Sequence, residues 1–78
     1  MTNLEKYNKI FKDNFEVSES ELFGLAYNSH ESWDSVGHMA LIADLEDLFE
    51  VMLDMEDIVD LSTYEKGKEI LGKYDVKI

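Results

Sequence analysis

Apolar residues return every three or four positions in four separate segments of this chain, and nowhere do they alternate with polar ones as a half-buried strand requires. That spacing paints stripes along helices, and such stripes are buried against one another. The sequence therefore predicts an all-α fold: a small four-helix bundle with three longer helices, a short third helix and a long first loop. No proline interrupts the segments, and with four glycines in all, the helix ends fall to polar caps. A single domain over residues 1–78 is expected, near the size below which one core no longer stabilises a chain unaided.

The first stripe is Leu4, Tyr7, Ile10, Phe11 and Phe15, with Thr2 or Asn3 as its cap. Periodicity fades between Glu16 and Ser32, apart from a short helical turn that Ser18 and Glu21 can open at capping-box spacing. A polar turn, Asn28-Ser29-His30-Glu31-Ser32, then delivers Trp33 to the head of the second helix, where it can staple the first turn. From Val36 the second stripe runs through Met39, Ala40, Ile42, Ala43, Leu45, Leu48 and Phe49. Asp54 can cap a short third helix carrying Met55, Ile58, Val59 and Leu61. Ser62 and Thr63 are expected to cap a fourth, with Ser62 and Glu65 at box spacing and Tyr64, Gly67, Leu71 and Tyr74 on one face. Lys66, Lys68 and Lys73 complement the dipole of that last helix and are assigned no further role.

Eighteen acidic residues against seven basic ones leave a formal charge of −11. Such a field repels phosphate backbones and anionic membranes, so nucleic acid is not an expected partner, and it favours proteins that carry basic patches. Without cysteine there are no disulfides, thiolate metal sites or cysteine catalysis. The acidic run Asp54 to Leu61 lacks the glycine and the glutamate spacing of a calcium loop, so no metal site is expected. Charged residues break up Met1 to Phe15, and neither a signal peptide nor a membrane span is expected; the cytoplasm is the default location and a monomer the default state. His30 and His38 have no metal-ligand spacing. Ser35 and His38 lack the strand-turn-helix elbow of a hydrolase, so catalysis is not expected, and His38 is placed at the surface near Ser35.

Asp34-Ser35 marks the start of the second helix, and Ser35 has two readings there. It can cap the free amides of the first turn, or its hydroxyl can carry a covalently attached group. Asp34-Ser35-Val36 resembles the Asp-Ser-Leu signature of the acyl carrier protein family, and Leu45-Glu46-Asp47-Leu48-Phe49-Glu50 resembles that family's L-E-x-x-F segment at the same distance from the serine. Trp33-Asp34-Ser35-Val36-Gly37-His38-Met39 is similar to the W-D-S-L-G-H form found in discrete carriers of specialised or surface-polysaccharide pathways. It differs from the form used in fatty acid synthesis, which has acidic residues soon after the serine.

The resemblance covers nearly the whole chain and implies a carrier, not an enzyme. A phosphopantetheinyl transferase would use coenzyme A and a divalent metal to attach 4'-phosphopantetheine to Ser35, with Asp34 supporting the modification. Acyl or aminoacyl groups would then be held as thioesters on that arm. Loading and transfer enzymes with basic docking patches would meet Val36, Ala43, Asp44, Glu46, Asp47 and Glu50. A cargo chain would lie among Met39, Ile42, Leu45, Phe49, Leu53, Ile58 and Leu61, all expected to project toward a shared interior. The alternative is an acidic helical adaptor that binds basic partner proteins without being modified.

Overall fold

Thr2 starts the first helix by a reciprocal cap. In the computed structural model, which describes residues 2–29 and 31–78, its hydroxyl accepts from the Glu5 amide at 3.1 Å while the Glu5 carboxylate accepts from the Thr2 amide at 3.0 Å. His30, one of the two histidines weighed above, lies outside the described residues. Helix α1 spans Asn3–Phe15 and ends at Glu16, whose φ of 52° turns the chain left-handed. A 3-10 helix, Glu19–Gly24, opens where Ser18 and Glu21 pair, the Glu21 carboxylate accepting from both the amide and the hydroxyl of Ser18. Helices α2 (Ser35–Phe49), α3 (Met55–Asp60) and α4 (Tyr64–Gly72) complete the order, and no strand occurs among the described residues beyond one isolated bridge. The chain is all-α.

That bridge explains how the long first loop is held. Tyr27 N–H donates to Ser62 C=O at 2.7 Å and Tyr64 N–H to Leu25 C=O at 3.0 Å, which clips the loop across the start of α4. Leu22 and Leu25 are buried beneath it. Thr63, not Ser62, caps α4, its hydroxyl accepting from Lys66 N–H. Asp54 stands at the cap position of α3 without a side-chain cap bond; its own amide donates to the Tyr74 hydroxyl instead.

The core is aromatic along α1. Phe15 stacks on Trp33 with centroids 5.1 Å apart, and Phe11 meets both Trp33 and Tyr64 edge-on. Each such pair adds ~0.5–1.5 kcal/mol beyond area burial. Two polar bonds run through this packing: the Tyr7 hydroxyl donates to Tyr64 C=O at 2.6 Å, and the Tyr64 hydroxyl donates to the Asn8 side-chain carbonyl. Burial pushes the Tyr7 hydroxyl well above its ordinary value. Gly67 makes the contact possible, because a Cβ there would stand 2.1 Å from the Tyr7 hydroxyl oxygen.

Helix α3 is fastened to the end of α4 by a cluster that periodicity did not reveal. The Asp57 carboxylate, almost fully buried, accepts from Lys73 Nζ and from the Tyr74 hydroxyl, each at 2.5 Å. Lys73 therefore has a structural partner, beyond the dipole role expected of it. The Lys73 and Tyr74 hydrogen bonds hold the Asp57 carboxyl below its usual range, and the bond to Asp57 holds Lys73 above its own. A lowered carboxylate pKa contributes stability that is present above the unfolded value, about 3.9, and is lost as pH falls through the folded one. The raised lysine contributes below its unfolded value, about 10.4, and its share is lost as pH rises through the folded one. Asp57→Asn should thus lower the thermal midpoint at neutral pH, and the gap to the parent should close once pH drops below the folded pKa of Asp57. A gap that persists unchanged into strong acid would show that packing, not charge, holds α3.

Candidate modification site and apolar groove

Two neighbouring polar residues compete to start α2, and Asp34 wins. Its backbone is extended and its Oδ1 accepts from Gly37 N–H at 2.9 Å, which makes it the cap. Ser35 becomes the first helical residue, exposed, with no hydrogen-bond partner for its hydroxyl among the described residues. The capping reading of Ser35 is thereby corrected. The Asp34 carboxylate is the one acidic side chain at this positive end of the helix dipole, since none lies in the first turn itself, and the Ser35 hydroxyl stands beside it.

Gly37 fixes the loop above the site. A Cβ on it would stand 2.1 Å from the Ser32 carbonyl oxygen and 3.3 Å from the Phe15 ring, so the chain entering Trp33 lies directly on the first turn of α2. Trp33 is fully buried and donates from Nε1 to His38 Nδ1 at 3.0 Å. His38 Nε2 lies 2.7 Å from the Ile58 carbonyl oxygen of α3. The histidine expected at the surface is thus half-buried and bonded at both nitrogens. A signal for this was present: His38 falls in register with Leu41, Ile42 and Leu45, the buried line of α2.

Beside Ser35 an apolar groove of about 430 Å³ opens between α2 and α3. Ser35, His38 and Met39 form one wall, Met55, Ile58 and Val59 the other, and Tyr27, Leu61 and Ser62 line the rest. Its size is that of a small-molecule site. Of the residues expected around a cargo chain, Met39, Ile58 and Leu61 line this groove. Ile42, Leu45 and Leu53 belong to the closed core, and Phe49 packs half-buried against it. Met39, expected to point inward, is 57% exposed, because the apolar stripe of α2 is wider than the surface its neighbours cover. The expected single interior is therefore a core and a separate groove.

The six residues expected to dock partners also divide. At about 100° per residue, Val36, Ala43, Asp47 and Glu50 fall on one outward line; all are exposed. Asp47 and Glu50 have no side-chain partner among the described residues. Asp44, though exposed, turns toward α1 and accepts from Asn14 Nδ2 at 2.8 Å. Glu46 turns the other way, half-buried, and accepts from Leu53 N–H at 2.9 Å, which fixes the connection into α3. Glu50 ends the helix with φ of 54°, and Val51 N–H reaches back to Glu46 C=O, a Schellman-type stop.

Among the described residues no group of acidic or histidine side chains is placed to hold a metal ion, and no helix is long and apolar enough to cross a membrane. No family model, curated protein or solved structure matches the chain.

Proposed function

We propose that this chain is a carrier protein of the acyl-carrier type, a four-helix bundle that presents acyl or aminoacyl groups on a 4'-phosphopantetheine arm attached at Ser35. The observation that carries the proposal is the state of Ser35: an exposed hydroxyl, released from capping by Asp34, at the positive end of a helix and at the mouth of an apolar groove. These residues fit the group. The hydroxyl oxygen would form the phosphodiester bond as the pyrophosphate bond of coenzyme A breaks on a transferase, with adenosine 3',5'-bisphosphate leaving and the hydroxyl proton passing to a base of the transferase, and the amides of the first turn that Asp34 does not occupy would favour the resulting negative charge. When bound, the arm supplies a thiol that holds cargo as a thioester. Asp34 commits one carboxylate oxygen to the cap, which leaves the other to face the transferase and its metal. Asp47 and Glu50, which follow Val36 and Ala43 along the same line of α2, offer partners with basic patches an acidic end beside small apolar contacts. Intact mass after incubation with coenzyme A and a competent transferase tests the proposal. A parent protein that gains no mass would leave the unmodified acidic adaptor as the function.

Docking has its own test. Rim charges act mainly on the rate of encounter, and salt screens them over about 8–10 Å. Asp47→Lys with Glu50→Lys should slow modification about tenfold or more at low salt, with the difference shrinking as salt rises. Equal rates for parent and variant at low salt would remove this face as the dock.

A further inference from the structure

Helix α3 has six residues, too few to hold itself, and its final carbonyls need partners from outside the regular ladder. Leu61 N–H satisfies the Asp57 carbonyl and Ser62 N–H the Asp60 carbonyl, whereas the Ile58 carbonyl is met by the side chain of His38. A carbonyl oxygen only accepts, so Nε2 carries the proton. The Trp33 indole only donates, so Nδ1 is bare; the two partners together select the Nε2–H tautomer. One end of the imidazole is thus fastened to a buried tryptophan and the other caps α3. Among the described residues this is the one hydrogen bond that joins α2 to α3.

Of the apolar side chains of α3, Ile58 packs half-buried against the core, whereas Met55 and Val59 are 77% and 73% exposed. Its other fastening, Asp57 with Lys73 and Tyr74, ties it to the end of α4. We propose that His38 is a latch: by donating to the Ile58 carbonyl it holds α3 against the first turn of α2 and so sets the width of the groove beside Ser35. It is a positioning residue for any apolar chain that enters. The latch and the groove are present in the unmodified chain, so the inference stands or falls apart from the modification of Ser35.

Two variants of the full, unmodified chain separate the two ends of the ring. In His38→Gln the amide nitrogen reaches the place of Nε2 and keeps the donor to Ile58. In His38→Asn the amide oxygen takes the place of Nδ1 and keeps the acceptor for Trp33. Native-state hydrogen exchange is read at the amides of Ile58 and Leu61, together with binding of the neutral apolar dye N-phenyl-1-naphthylamine. His38→Asn should exchange about tenfold faster at those amides, with α1 amides unchanged, and should bind the dye more tightly. His38→Gln should stay close to the parent in both. Reversal of the two variants, parental behaviour in both, or equal acceleration in α1 would overturn the latch. Should His38→Asn not fold, the parent decides: imidazole nitrogen shifts must place the proton on Nε2, and a proton on Nδ1 would overturn it.

Discussion

Ser35→Ala should abolish the mass increment from coenzyme A and leave the fold intact. The hydroxyl has no partner among the described residues and the cap belongs to Asp34, so the change in stability should stay within about 0.5 kcal/mol. Helical circular dichroism and the thermal midpoint should therefore match the parent while no thioester can be loaded. Asp34→Ala should behave in the opposite way. It removes the bond to Gly37 N–H, costs about 0.5–2 kcal/mol, and slows modification without removing the acceptor. A Ser35→Ala protein that still gains the group, at Ser32 or Ser29, would show that the signature had been placed on the wrong serine.

Gly37→Ala should destabilise the protein although helix propensity alone predicts the reverse. In an open helix the change gains up to about 1 kcal/mol. Here the new methyl would meet a backbone carbonyl at 2.1 Å, and the Phe15 ring behind it is fully buried, so the loop over α2 must lift. Overpacking of this kind costs about 1–3 kcal/mol, and each kcal/mol lowers the midpoint of so small a domain by about 4–8 °C. Gly72 is the control, since a Cβ there meets nothing within 4 Å and Gly72→Ala should be neutral or stabilising. Opposite signs for the two substitutions in thermal unfolding would establish that Gly37 is required by close approach. A midpoint for Gly37→Ala at or above the parent's would show that the loop does not press on this turn.

Helix positions were legible in the sequence because they are local, and so were several of the helix starts, although Thr63 and not Ser62 caps α4 and Asp54 makes no side-chain cap bond at α3. The cap by Thr2, one of the two candidates, the Ser18–Glu21 pair and the Asp34-Ser35 start each involve residues within one turn, and the stripes of α1 and α2 follow from the helical period. The candidate acceptor Ser35 was legible for the same reason, together with its resemblance to a known signature. Tertiary structure decided which part of each stripe is buried. A period defines a face but not the width of it that neighbours cover, so Met39 lies on the surface and His38 is half-buried. It also decided which of Asp34 and Ser35 caps α2, and so whether the hydroxyl is free. Asp57 with Lys73, and His38 with the Ile58 carbonyl, join residues 16 and 20 positions apart on different elements. Such pairs form only once packing has brought the elements together, because one-dimensional spacing carries no record of distances across a core.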